Sequence, residues 1–229
     1  MVQAQRLPTK GRLQVRLENL ARDLLAYMGG VTERKSEYSF ILDNIAARMS
    51  EGKILDVGCC DSTLALELAN RGFTVWGIDA RDYSEKHDNL TFIKGDIRST
   101  NFDDNFFDAA TVVSTIEHVG LGGYGDPLEK DGDFAAMEEI RRILRKGGHL
   151  ILTTPFVRQY KVIPGFERYY DEKRLHQLLD GWILENIEYR KPVRRVLGIR
   201  LWEKVSKEEA MERTSLYSHS TVYLVLRKP

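Results

Sequence analysis

Three aspartates stand at or just beyond the ends of short apolar runs: Asp56 within Lys53–Val57 (KILDV), Asp79 after Phe73–Ile78 (FTVWGI), and Asp96 after Leu90–Ile93. A carboxylate offers several acceptor positions at once. Asp79 is placed to take the two hydroxyls of a ribose, and Asp96 to accept from an exocyclic amine such as adenine N6. A further pair, Glu117-His118, follows the apolar run Phe107–Val113. An unperturbed imidazole titrates near ~6.5 and can take a proton from a hydroxyl; the other reading of this pair is loop ordering or helix capping. Glu117, Asp126 and Asp133 with Tyr124 could offer oxygen ligands to Mg²⁺. Gly125-Asp126-Pro127 is a strong turn signal and Asp133 is placed to cap a helix, so no metal is assigned.

These residues need a frame that brings strand ends together. Seven strands are expected: Lys53–Val57, Phe73–Ile78, Leu90–Ile93, Phe107–Val113, His149–Thr153, Trp182–Tyr189 and Thr221–Leu226. Helical patterns cover Leu13–Met28, Ser36–Met49, Thr63–Asn70, the stretch after Asp133 (Phe134, Met137, Ile140, Ile143 and Leu144 on one face) and Asp171–Leu179, with a short helix within Leu201–Arg213. Alternating strands and helices predict one α/β domain over residues 1–229, with a mainly parallel sheet, helices on both faces and the last strand antiparallel. Residues 1–50 are expected to cover a ligand site at the strand carboxyl ends.

The turn after the first strand reads Asp56-Val57-Gly58-Cys59-Cys60-Asp61-Ser62. A dinucleotide fingerprint would put glycines at 60 and 63; Cys60 and Thr63 stand there instead, which disfavours NAD. The run ILDVGCCDSTLALELANRG resembles motif I of the class I methyltransferases that use S-adenosylmethionine (SAM). VWGIDA, FIKGDI, FFDAATVVSTIEHV and LRKGGHLILTTP resemble the four motifs that follow it, in order from Ile54 to Pro155. The resemblance implies a Rossmann-like fold, SAM as cofactor and methyl transfer as the activity. It implies that Asp56, Gly58, Cys59 and Cys60 form the turn under the methionine part. Asp79 and Ala80 would meet the ribose, Asp96 and Ile97 would flank the adenine, and Ser114 would sit beside the cofactor. Tyr38, with Arg34 as its charge partner, would reach the SAM carboxylate. Glu117 and His118 become the catalytic candidates. Cys60 replaces the family's usual glycine, so its β-carbon is expected to crowd the cofactor; a non-catalytic SAM-binding protein is the rival reading.

RKSEYSF (34–40), EHVGLGGYGDPLEKDGDFAAMEEIRRILRKGG and FERYYDEKRLHQLLDGWILE look like a subgroup of methyltransferase-like proteins associated with polysaccharide or glycolipid biosynthesis. That implies a hydroxyl acceptor on a sugar, glycolipid or other small metabolite. Tyr169 and Tyr170 are expected to roof the acceptor pocket, and Arg158, Lys161, Arg168 and Arg194 to bind an anionic group on it. Nucleic acid or protein is the alternative acceptor, but Ser114-Thr115-Ile116-Glu117 is not an amine-methylation signature of N-P-P-Y type.

Composition sets the outer bounds. Lys plus Arg and Asp plus Glu number 34 each, so net charge selects no anionic partner. Six basic and two acidic residues between Asn186 and Lys204 read as a solvated basic face or, with Val193, Leu201 and Trp202 interleaved, as a membrane contact. No run approaches the about 20 apolar residues of a spanning helix. The adjacent Cys59 and Cys60 imply no disulfide framework. A cytoplasmic location is expected.

Overall fold

The computed structural model describes residues 31–196, 199–212 and 219–229; the expected helix Leu13–Met28 lies outside them. Strand β1 (Lys53–Val57) is buried at every position but its first. It pairs in parallel with β2 (Thr74–Asp79) on one edge and β4 (Phe107–Val113) on the other. Burial on both faces is why these strands read as near-continuous apolar runs. β3 (Leu90–Lys94) joins β2 and β5 (Leu144–Phe156) joins β4, both in parallel. β10 (Ser220–Arg227) then inserts antiparallel between β5 and β8 (Ile183–Val196), and β9 (Ile199–Val205) closes that edge antiparallel to β8. The order is β3-β2-β1-β4-β5-β10-β8-β9. A hairpin of β6 (Lys161–Ile163) and β7 (Glu167–Tyr169) stands apart from the sheet.

Side chains alternate between two cores, as the period of two along a strand demands. Leu55, Ala110, Leu150, Leu152, Val222 and Leu224 face α3 (Gly132–Ile143) and α4 (Glu172–Leu178). Ile54, Ala109, Ile151, Tyr223 and Val225 face α1 (Glu33–Ala46) and α2 (Leu64–Asn70). The Rossmann-like architecture is therefore as expected, with two departures. The sheet has eight strands, because the Leu201–Arg213 region begins as β9 and only then makes the one-turn helix α5 (Lys207–Ala210), capped by Ser206 and Glu209. Cross-strand pairing absorbs part of the basic run: Lys204 meets Glu188 at 3.1 Å, and Arg190 bonds Glu188 and Ser36. Leu201 and Trp202 are buried, which removes them from any membrane-facing stripe.

The second departure is Asp133. It caps nothing: Asp131 precedes the helix without a side-chain bond. Asp133 is wholly buried, accepts from Tyr170 Oη at 3.1 Å and from Arg174 at 3.2 Å, and faces Arg168 at 3.7 Å. Arg168 donates to the carbonyls of Val119 (2.6 Å) and Lys130 (3.1 Å), the two ends of the glycine-rich loop 120–132. One buried ion pair thus shapes that loop. Removing one partner of such a pair leaves a buried charge uncompensated and costs about 3–5 kcal/mol. Asp133→Ala should lose that much in denaturant unfolding; a loss under about 1 kcal/mol would contradict the assignment.

Candidate functional site

The carboxyl ends of β1, β2 and β4, the loop after β3, the first turns of α1 and the glycine-rich loop enclose a cleft of about 1040 Å³. That is room for a nucleoside-sized ligand and a small partner. Its floor is the turn after β1. Gly58 holds φ 77°, a left-handed value cheap only for glycine, and its amide donates to Ile78 O at 2.8 Å. A β-carbon there would lie 2.3 Å from Thr115 Oγ1. Ser114, at the end of β4, is also left-handed (φ 43°) although it has a side chain. Its amide donates to Thr153 O at 3.1 Å and its hydroxyl to Glu37 Oε1 at 2.5 Å. Strain of this kind collects at functional sites.

Asp79 lies on the cleft wall. Its Oδ1 accepts from the amide and Nε of Arg81 (3.0 and 3.1 Å), and its Oδ2 from the Cys60 amide and Arg81 Nη2 (3.0 and 3.2 Å). Arg81 holds the carboxyl below its usual range, against the opposing effect of burial. Asp96 repeats the pattern with Arg98, whose Nη2 lies 2.5 Å from Asp96 Oδ2. Arg98 also reaches Pro127 O and Glu129.

His118 also lines the cleft, its ring between Tyr124 (5.1 Å) and Phe166 (5.7 Å). Nδ1 lies 2.5 Å from Phe166 O. A carbonyl only accepts, so Nδ1 carries the hydrogen and Nε2 of the neutral ring keeps its lone pair. Burial lowers the His118 pKa. Glu117 is buried beside it, accepts from Thr154 Oγ1 at 3.1 Å, and is pushed well above the carboxylate range by burial, with Glu37 and Glu167 repelling it. Glu37 is raised by burial too; Ser114 and Thr153 donate to its Oε1, and Arg34 stands 3.4 Å from its Oε2. No cluster suited to a metal occurs among the described residues.

Residues 55–152 match the family described as Methyltransferase domain. The demethylmenaquinone methyltransferase of Corynebacterium kroppenstedtii is 30% identical over 132 residues, 55% of this chain and 50% of the relative. The sterol 24-C-methyltransferase of Yarrowia lipolytica is 31% identical over 108 residues, 42% of this chain and 26% of the relative. The chain therefore spans about half, or less, of the length of these curated relatives. The Burkholderia thailandensis 1,6-didemethyltoxoflavin-N1-methyltransferase, solved with S-adenosylhomocysteine (SAH) bound, shares the fold at a TM-score of 0.61. It is 12% identical and aligns over 100% of this chain and 97% of its own. Over residues 55–152 the chain carries a methyltransferase domain, on a fold shared with SAM-dependent methyltransferases.

The cleft suits SAM. Gly58, Asp79, Ala80, Asp96, Ile97 and Ser114 all line it, as do Glu117 and His118. Four expected residues stand behind the lining. Asp56 is buried, accepts from Thr111 Oγ1 at 2.7 Å and from the Ala65 amide, and so ties β4 to the start of α2. Cys59 is in the core. Cys60 gives its amide to Asp79, turns its Sγ to Asp82 O at 3.3 Å and is not among the residues that line the cleft. Tyr38 Oη lies 2.8 Å from Ser62 Oγ and accepts from the Thr63 amide, fixing the turn into α2. The acceptor-side expectations are corrected. Tyr169 and Tyr170 are buried, Arg168 is spent on the loop carbonyls, and Arg158 and Lys161 border a separate hollow. The Arg194 side chain lies outside the description. Sequence reasoning missed Arg81, Arg98 and Glu167; the repeated Asp-x-Arg at 79–81 and 96–98 was the available signal.

Burial raises Glu33 to about 8, and Asp56 and Glu167 to about 7. Folding therefore favours their protonated forms, and the stability they add is lost as pH rises through these values. The half-buried histidines His118, His149 and His219, with lowered pKa, act oppositely, but only below the unfolded value of ~6.5. Thermal unfolding should shift to lower temperature as pH rises from about 6.5 to 8; a flat or rising melting temperature would contradict this burial pattern.

Proposed function

We propose that this chain transfers the methyl group of SAM to a hydroxyl of a small-molecule acceptor with an apolar portion, such as a glycolipid. The observation that carries the reading is His118, fixed by Phe166 O with a bare Nε2 and set in the same cleft as Asp79. SAM supplies a sulfonium-bound methyl, which needs in-line attack by a nucleophilic oxygen. The chain's part is then placement, which can contribute roughly 7–11 kcal/mol, and proton removal. Asp79 would take the ribose hydroxyls. Arg34 and Glu37, adjacent on α1 and both on the cleft wall, suit the carboxylate and ammonium of the methionine part. His118 Nε2 would accept the hydroxyl proton as the oxygen bonds to carbon. Glu117, held close to neutral by burial, leaves the acceptor region free of a strong anion.

The acceptor class follows from the lining. Arg158, Lys161 and Arg168, expected to bind an anion, do not border the cleft; Arg34, Arg81, Lys94 and Arg200 do, beside Glu33, Glu37, Glu117 and Glu167. Arg34, Arg81 and Lys94 are each paired with a carboxylate, which supports a neutral hydroxyl over a phosphate or sugar acid. Tyr124 and Leu128 on the glycine-rich loop, and Val162, Ile163 and Phe166 on the β6–β7 hairpin, are exposed apolar side chains. The two loops meet where Gly123 faces Gly165 O, so these residues give the mouth an apolar rim. Both curated relatives are named for small-molecule acceptors.

Two measurements test this reading. Asp79→Ala should weaken SAM binding tenfold or more, since charge-assisted hydrogen bonds are worth about 1.5–3 kcal/mol each; undiminished calorimetric affinity would remove the ribose assignment. His118→Ala should bind SAM normally but release radiolabelled methyl to neutral glycolipid acceptors about 10²–10⁴-fold more slowly. Because the His118 pKa lies below 6.5, the parent rate should be flat through neutral pH and fall only on acidification. A rate unchanged by His118→Ala, or a preference for anionic acceptors, would count against it.

A further inference from the structure

Asp79 is already fully used. A carboxylate has about four acceptor positions. Two are held by backbone amides, those of Cys60 and Arg81, and two by the Arg81 guanidinium. The Cys60 amide belongs to the turn that builds the cleft floor, and the Arg81 amide closes a local turn on Asp79 itself, so neither leaves without backbone rearrangement. A ribose diol needs two positions, and only the pair under the guanidinium can be vacated. Arg81 has other ties: Nη1 lies 2.6 Å from Asp61 Oδ2, and its guanidinium stacks 4.7 Å from the centre of the Tyr124 ring, on the glycine-rich loop. Its side chain is about one-third exposed (34%), whereas that of Arg98, which makes the matching bond to Asp96, is at 7%. Arg98 and Arg168 clamp the far part of the loop through Pro127, Glu129 and Lys130. Tyr124 lies between these points and the Val119 end held by Arg168, is itself bound by neither arginine, and forms one wall around His118.

We propose that Arg81 is a latch: it occupies the acceptor positions that the cofactor ribose needs, and when displaced it carries Tyr124 with it, so that cofactor binding reshapes the wall of the acceptor pocket beside His118. The proposal rests on the ribose assignment to Asp79. Its first consequence is a cost in apparent affinity, because a ligand that must wait for a minor state binds more weakly by the fraction of time that state exists. Its second is order: the pocket wall takes its working form after the cofactor is in place. Arg81 is thus a positioning residue, acting through Asp79 and Tyr124 without touching the reacting atoms.

The test is calorimetric titration of SAH into the full chain and into Arg81→Ala and Arg81→Gln, each checked for an unchanged melting profile. If the latch is closed about nine-tenths of the time, removing it should tighten SAH binding about tenfold. Hydrogen exchange followed over residues 120–127 should change on SAH addition in the parent and stay unchanged in both variants. Equal or weaker SAH binding by both folded variants, or the same exchange response in all three chains, overturns the latch while the cofactor reading stands. A parent chain that does not bind SAH at all overturns both.

Discussion

The constraint on which the site depends is the position of β1 between β2 and β4. Parallel neighbours on both edges send the connecting segments over opposite faces of the sheet, and they part at the carboxyl end of β1. The chain leaving β1 has only residues 58–62 in which to turn. Gly58 makes the turn possible, since its left-handed backbone packs against Thr115 at a distance no side chain would tolerate. Asp79 then fastens the turn from the neighbouring strand through the Cys60 amide. The residue that shapes the cleft floor is thus the one proposed to hold the ribose, so in this reading cofactor binding and local architecture share a single carboxylate.

Buried charge does two jobs around this floor. Paired charges build loops: Asp96 with Arg98, and Asp133 with Arg168 and Arg174, tie the glycine-rich loop to the sheet. Such pairs gain little net energy from being buried, and breaking one is expensive, so they specify a shape more than they stabilise it. Carboxyls with no cation in a close ion pair, Glu117 and Glu167, are instead driven toward their neutral forms by burial. They can sit beside the proposed reacting centre without opposing the proton removal proposed for His118. The site is therefore polar in composition but low in free charge where the methyl would pass.

Much of the frame was legible because it follows from local rules. Lys53–Val57 and Phe107–Val113 were read to the residue, since strands buried on both faces are unbroken apolar runs bounded by turns. The glycine spacing disfavoured NAD, and the resemblance of five ordered motifs carried the cofactor class. What was not legible depended on long-range pairing. Nothing local distinguishes Asp133 as a buried ion-pair partner from Asp133 as a helix cap, because its partners Arg168, Tyr170 and Arg174 come from another element. Arg168 was read as a ligand for an anion because a sequence displays charge but not burial. The β8–β9 hairpin hid behind a basic run that looked solvated until its strands paired. The place of Cys60 behind the lining was not legible because residue type was visible and side-chain direction was not.

The central claim is that Asp79 and His118 serve one methyl-transfer cleft, the first holding the cofactor and the second facing the acceptor. The structure of the chain with SAH bound tests it most directly. The account predicts ribose hydroxyls on Asp79, the amino-acid part near Arg34 and Glu37, and the sulfur turned toward His118. A complex with the ribose away from Asp79, or with the sulfur facing away from His118 and Glu117, would contradict it.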